Sequence, residues 1–420
     1  MAKWQTSGID AIWRIESPKL VAVLARMLHG DVGTAEELAQ DVLLTALERW
    51  PVDGLPDNPG AWLMAAAKRR AIDVLRAHAL HARKHEDIAR ELEDVQAASG
   101  ESVEAAADDD IGDDLLRLVF TACHPVLSTE AQVALTLRLL GGLTTDEIAR
   151  AFLVPEPTVA QRIVRAKRTL SERDVAYEVP RGEALEQRLS SVLAVVYLVF
   201  NEGYSATAGE DWVRPALCEE AMRLGRVLAG LMPRESEVHG LVALMELQAS
   251  RLNARTDADG SPILLLEQDR GRWDRLLIGR GLAGLDLVRR LGGGDGFYAL
   301  QAAIAACHAR AAAAADTDWA RIAALYARLL EVAPSPVIAL NRAVAVSMAD
   351  GPEAGLALVD ALRDEKLLQA YPLLPGVRGD LLDRLGRKTE AREEFERAAG
   401  LTRNGRERET FQRRAAACEA

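Results

Sequence analysis

Cysteine is scarce: Cys123, Cys218, Cys307 and Cys418 are the only four in 420 residues, and no two form a C-x-x-C pair. That spacing argues against a zinc ribbon or a disulfide framework and fits a reducing compartment. Aromatic residues are also few, at 5% of a chain that is 49% hydrophobic. A core of that make-up packs Ala, Leu and Val between helices, so the expected fold class is all-α and not a sandwich of strands. No apolar run approaches the roughly 20 residues that span a bilayer, and the opening MAKWQTSGIDAIWRIESPK lacks the apolar centre of an export signal, so a cytoplasmic location is expected. The glycine-rich LGGGDGF carries no Lys-Ser/Thr of a phosphate-binding loop and no strand-helix context of a dinucleotide fold.

At about 100 to 200 residues per domain, the length predicts two to four units. The 51 Lys and Arg stand against 63 Asp and Glu, a net charge of -12. An acidic total does not exclude a nucleic-acid partner, because the field at a phosphate depends on where the cations lie.

Helical spacing begins early. Ile12, Leu20, Val23, Leu24, Met27 and Leu28 form one apolar stripe, and Leu38, Val42, Leu43 and Leu47 a second, with Thr34 and Glu37 at capping-box spacing. Residues 51–60, PVDGLPDNPG, read as a loop, and a third helix follows from Ala61. Ten acidic residues and no basic ones lie between Glu91 and Asp114, which marks 91–114 as a linker, either a plain solvated tether or a mobile acidic decoy for cationic helices.

A helical pair broken at CHPVLS precedes LTTDEIARAFLVPEPTVAQRIVRAKRTL, residues 143–170. Here Thr145 is expected to cap one short helix and Pro157 to open the next. That next helix turns Val159, Ile163, Ala166 and Leu170 inward and leaves Thr158, Gln161, Arg162, Arg165, Lys167 and Arg168 outside. Two short helices about a tight turn, the second cationic on its outer face, describe a helix-turn-helix suited to a major groove.

Beyond residue 180 the chain is nearly continuous helix former. PILLLEQ reads as strand or helix, and RLGGGDGF (290–297) as a boundary. From 297 onward helical hairpins of the tetratricopeptide kind are expected. Gly386, Ala391, Phe395 and Ala398 follow their spacing, as do Tyr326 and Pro334, and the period of roughly 34 residues is partial.

With both basic helices placed, the first 175 residues resemble a bacterial sigma factor of the extracytoplasmic-function group. TAEELAQDVLLTALERW is similar to the family's polymerase-docking helix, NPGAWLMAAAKRRAIDVLR to its promoter-melting helix, and residues 143–170 to its reader of the minus-35 element. The remainder resembles the subgroup with a long C-terminal extension, through FNEGYSA, EVHGLVALMELQASR and LLEQDRGRWD. The resemblance implies sigma region 2 at 1–90, sigma region 4 at 115–175, a helical domain at 181–290 and tetratricopeptide-like repeats at 297–420.

It also implies site residues. Glu36, Glu37, Gln40, Asp41 and Leu44 would bind core RNA polymerase, apolar anchor and acidic partners together. Lys68, Arg69, Arg70 and Arg76 would hold minus-10 phosphates, with Trp62 either a stacking platform or part of the core. Asp53 and Asn58 lie in the loop implied to capture a flipped base. Thr158, Gln161, Arg162 and Arg165 would touch base edges or phosphates, Lys167 and Arg168 would position the helix, and Arg162 reads alternatively as an ion-pair partner. The extension is implied to modulate activity in place of a membrane anti-sigma factor, through a protein or small-molecule regulator, with genes for small YCII-related proteins nearby.

Two rival readings stand beside this one. Glu202, Glu267, Asp269 and Asp274 could serve acid-base or metal chemistry, or could be charge partners of Arg270 and Arg272. His78, His81 and His85 share a helix face with metal spacing but without a further ligand. The expectation is no enzyme, no cofactor and no metal. A DNA-tethered repeat scaffold or ligand-sensing regulator that does not bind polymerase is the alternative.

Overall fold

The computed structural model describes residues 2–90, 111–152, 154–206, 212–257 and 259–418, with the side chains of 2–8, 10, 11, 78–90, 111 and 150 outside the description. The three histidines at 78, 81 and 85 and linker residues 91–110 therefore lie outside the described side chains or residues. Among the described residues there is no strand, only an isolated bridge between Thr256 and Pro262. The fold is all-α, in two compact units, Met1–Val195 and Val196–Ala420.

The first unit opens with α1 (Ala2–Met27), α2 (Val32–Asp53) and α3 (Pro59–Arg90), which pack against one another. Leu20, Leu24, Val42, Leu63 and Ala67 fill the space between them. Asp31 caps α2 by accepting from the amides of Gly33 and Thr34, so this helix starts ahead of the expected Thr34 cap. Helix α2 also continues to Asp53, into the expected loop. Pro51 removes one backbone bond there, but buried Trp50 and the Gly54 amide on the Trp50 carbonyl hold the added turn.

A second set follows: α4 (Ile111–Ala122), α5 (Thr129–Leu139), α6 (Thr145–Phe152) and α7 (Glu156–Glu172). Asp113 and Asp114, read from the sequence as linker, belong to α4. Asp114 is buried because Arg26 and Arg117 neutralise it, at 2.7 and 2.6 Å. The Tyr177 hydroxyl lies 3.0 Å from the Ala22 carbonyl and 3.1 Å from that of Asp114, tying α1 to α4. Helix α6 is capped by Thr144, not Thr145. The Thr144 hydroxyl accepts from the Glu147 amide at 3.1 Å and the Glu147 carboxylate accepts from the Thr144 amide at 2.8 Å, a reciprocal box that Thr145 could not make. On α7, Val159, Ile163, Ala166 and Leu170 are all buried, as their spacing predicts.

The division between units falls within α8 (Glu183–Tyr204). Its first half belongs with α4 and α5. Arg188 donates to the Phe120 carbonyl at 2.9 Å, and the Ser191 hydroxyl donates to that of Cys123 at 3.1 Å.

The second unit continues with α9 (Pro215–Leu231), α10 (Ser236–Ala249), α11 (Arg275–Arg290) and α12 (Phe297–Arg310). Helix α10 is its centre, packed by the other three. At Gly281 a Cβ would lie 2.6 Å from Leu247, so the bare backbone is what lets α11 close on α10. PILLLEQ forms neither strand nor α-helix; Leu264 and Leu266 remain exposed. The 290–297 turn joins helices of one unit, because the Glu237 carboxylate on α10 accepts from the Tyr298 and Ala299 amides and so caps α12.

Helical hairpins complete the chain: α13 (Trp319–Val332), α14 (Pro336–Asp350), α15 (Pro352–Asp360), α16 (Leu373–Arg384), α17 (Lys388–Leu401) and α18 (Gly405–Ala417). Each packs on the next. Ala391, Phe395 and Ala398 sit in the core that α14 to α18 share. Gly379 faces the Phe395 ring, and Gly386 turns the chain at φ 75°.

Candidate nucleic-acid interface

Helix α7 presents one face to solvent. Gln161, Val164, Arg165 and Arg168 stand at i, i+3, i+4 and i+7 and are exposed, while Thr158 and Arg162 are half-buried beside them. Among the described residues neither Arg162 nor Arg165 is in a salt bridge. Arg168 pairs with Glu172 one turn on, at 2.7 Å, an exposed contact worth little against a phosphate. Val164, 63% exposed, is an apolar group on this face that spacing alone did not single out; it suits a thymine methyl.

Lys167 points elsewhere. Its ammonium pairs with Glu36 of α2, and Arg138 of α5 meets the same carboxylate at 2.5 Å, with the Gln40 amide donating at 2.6 Å. Burial works to raise the Glu36 carboxyl, but the charges of Lys167 and Arg138 outweigh it and hold the group below its ordinary value. Thus a residue expected to face polymerase and one expected to face DNA are joined to each other. Arg138, which completes the cluster, carried no signal in the sequence.

The other docking candidates lie open or nearly so: Glu37, Asp41 and Leu44 are exposed and Gln40 is half-buried. Gln40 and Leu44 line a cleft of about 400 Å3, together with Trp13 of α1 and Leu139 of α5.

On α3, Arg69 and Arg76 are exposed seven residues apart, on one face, and Lys68 is half-buried. Arg76 is 4.0 Å from Asp73, a loose exposed pair. Arg70 turns back to α2, where it meets Asp41 at 3.0 Å and the Thr45 hydroxyl at 2.8 Å. Trp62 is half-buried, edge-on to Trp50 with ring centres 5.4 Å apart, so its ring is engaged in packing. Asp53 is exposed, and the Asn58 side chain caps α3 by accepting from the Ala61 amide at 3.0 Å. Val52 at the end of α2 and Leu55 in the loop after it are 83% and 59% exposed.

Three of the four candidate carboxylates of the second unit have structural work, and Glu267 is exposed. Glu202 pairs with Arg214, while Asp269 and Asp274 cap helical turns by accepting backbone amides. Arg270 is held by carbonyls and the Thr317 hydroxyl, not by those carboxylates. Among the described residues no group of three His, Cys, Asp or Glu is placed to hold a metal ion.

This arrangement defines a class: a two-part helical DNA-binding module followed by a helical extension. Sequence models of sigma-70 region 2 and of sigma-70 region 4 match residues 13–80 and 117–170. A family of unknown function, DUF6596, matches 188–289. An uncharacterized protein of Rhizobium meliloti (strain 1021) is 42% identical over 403 residues, covering 96% of this chain and 94% of its own. The ECF RNA polymerase sigma factor SigK of Mycobacterium ulcerans (strain Agy99) is 29% identical over 156 residues, 36% of this chain and 78% of SigK. The yeast Tom70 crystal structure aligns with 98% of this chain and 84% of its own at 11% identity, with a TM-score of 0.32, too low to mean a shared fold. The chain belongs to the sigma-70 family, as a sigma factor of the extracytoplasmic-function type with a C-terminal extension. Its role is in promoter recognition. Among the described residues no helix is long and apolar enough to cross a membrane.

Proposed function

We propose that this sigma factor binds core RNA polymerase, recognises the minus-10 and minus-35 elements and starts transcription there, acting in the cytoplasm by non-covalent contacts alone. The minus-35 element is read by α7 through Thr158, Gln161, Arg162 and Arg165, with Arg168 and Lys167 on phosphates. Arg69, Arg76 and Lys68 of α3 hold the minus-10 strand, Asp53 and Asn58 border the base-capturing loop, and Arg70 and Trp62 support it from behind. Helix α2 docks on polymerase through Glu37, Gln40, Asp41 and Leu44. Glu36 joins them once Lys167 and Arg138 have moved away. The extension regulates this activity in response to a protein or small molecule.

The observation that carries the reading is the free outer face of α7, whose Arg162 and Arg165 have no salt bridge among the described residues. Buried pairing would have consumed them; Arg165 is exposed and Arg162 half-buried within range of the Glu130 charge, and guanidinium groups so placed on a helix-turn-helix suit phosphate and guanine. Run-off transcription with core polymerase on the gene's own upstream region tests it. The protein should yield a discrete transcript, and Arg162→Ala with Arg165→Ala should weaken promoter binding and flatten its salt dependence by roughly one unit of slope for each phosphate no longer neutralised. Unchanged affinity across the salt series would remove α7 as the reader. A protein that binds duplex but fails to retain core polymerase would instead be a DNA-tethered regulator.

A further inference from the structure

The second unit holds a half-open pocket of about 210 Å3, walled by the end of α10 and by α12, α13 and α14. Arg251, Gln248, His308 and Tyr326 give it a polar side, and Leu265, Ile304 and Leu329 an apolar one. Three sequence stretches that promoter recognition leaves unexplained meet around it. FNEGYSA supplies Tyr204, whose hydroxyl accepts from Arg251 at 2.6 Å; EVHGLVALMELQASR supplies Gln248 and Arg251; LLEQDRGRWD supplies Leu265, Arg270 and Trp273.

The charge here is lopsided. Arg251 lies close enough to perturb both Arg255 and Arg270, and among the described residues none of the three is in a salt bridge, although the Asp316 charge offsets part of that on Arg270. Their guanidinium groups rest on aromatic faces instead. Arg255 is 3.6 Å from the centre of the Tyr204 ring, Arg270 is 4.7 Å from that of Trp273, and Arg251 is 5.7 Å from the latter. Ring faces and carbonyls disperse a positive charge without cancelling it, so a partly desolvated positive field reaches the cavity. His308 does not add to it. Burial first, then the charges of Arg251 and Arg270, push its imidazole down to about 3, and its neutral ring leaves a buried Nδ1 with no hydrogen-bond partner.

From this juxtaposition of a pocket, a guanidinium without a salt bridge among the described residues and a facing apolar wall, we infer that the extension binds a small carboxylate with a compact apolar body. Its oxygens lie against Arg251 with Gln248 and Tyr326 in reach, and its body against Leu265, Ile304 and Leu329. A guanidinium fork matches two coplanar oxygens. One lining arginine facing aliphatic side chains suits a monoanion better than a phosphate, which calls for a cradle of several donors. The volume exceeds the roughly 150 Å3 that accepts benzene and falls below the roughly 300 Å3 where drug-sized ligands begin, which sets the ligand's size. The inference concerns binding alone and does not depend on the extension's effect on transcription.

The test is titration of the full-length protein with benzoate, hexanoate, benzamide and inorganic phosphate. It is followed by calorimetry and by the fluorescence of Trp273 and of Trp319, whose ring lies 5.1 Å from that of His308. At least one of the two carboxylates should saturate a single site, with benzamide at least roughly tenfold weaker than benzoate. Arg251→Gln should weaken carboxylate binding to a similar degree. So should Ala305→Leu, which fills the cavity and keeps every charge, so the test survives if the arginine variant fails to fold. Arg413→Ala, on a different surface, should bind as the parent does. Saturation by neither carboxylate, saturation by phosphate alone, benzamide equal to benzoate, or unaltered binding in both cavity variants would each overturn the inference.

Discussion

Glu36 and Glu37 are neighbours on α2 with opposite surroundings: Glu37 is exposed, while Glu36 is buried against Lys167 and Arg138. Nothing local distinguishes them. The difference comes from partners more than a hundred positions away, Arg138 lying 102 residues on, which no helical period can reveal. The carboxyl of Glu36 is held below its ordinary value of 4.5 in the folded chain. Its contribution to stability is therefore present above the unfolded value and lost as pH falls through the lower folded one. Glu36→Gln should cost about 1 to 3 kcal/mol at neutral pH, because two partly buried cations lose their carboxylate. In urea unfolding repeated at successively lower pH, that penalty should shrink once the pH is below 4.5. A penalty that stays constant into strong acid would mean that the carboxylate charge is not what holds the pair.

Helices were legible where a period ran long enough. The inward residues of α7 and the three helices of the first set follow from apolar spacing, because burial on one face repeats every three to four positions. Five apolar residues in PILLLEQ are too few for a period to decide, and they form neither expected element. Helix starts depend on single hydrogen bonds, and there spacing misleads: two adjacent threonines stand at the start of α6, but only Thr144 lies outside the helix. Thr144→Ala should lower thermal stability by about 1 kcal/mol and Thr145→Ala by no more than a few tenths. Equal losses in the two variants, compared by thermal unfolding, would show that the capping box is not what starts this helix.

For the molecule as a whole, a composition break near 180 marks a change of texture, while the division of packing comes later. Leu189 and Val192 of α8 are buried, and Arg188 and Ser191 bond to Phe120 and Cys123, so the first unit ends at Val195. Removing everything after Val195 keeps those bonds and should change transcript yield in vitro relative to the full chain. Equal yields would sink the regulatory role of the extension. The two halves of the first unit also share a limited resource, the ammonium of Lys167, which can neutralise a carboxylate of its own chain or a phosphate of another molecule, but not both at once. A duplex that recruits it must draw α7 away from α2 by the same factor by which the closed form weakens the duplex, since linkage runs equally in both directions. Promoter DNA would then expose the docking helix, and polymerase, by engaging that helix, would sharpen the grip on DNA.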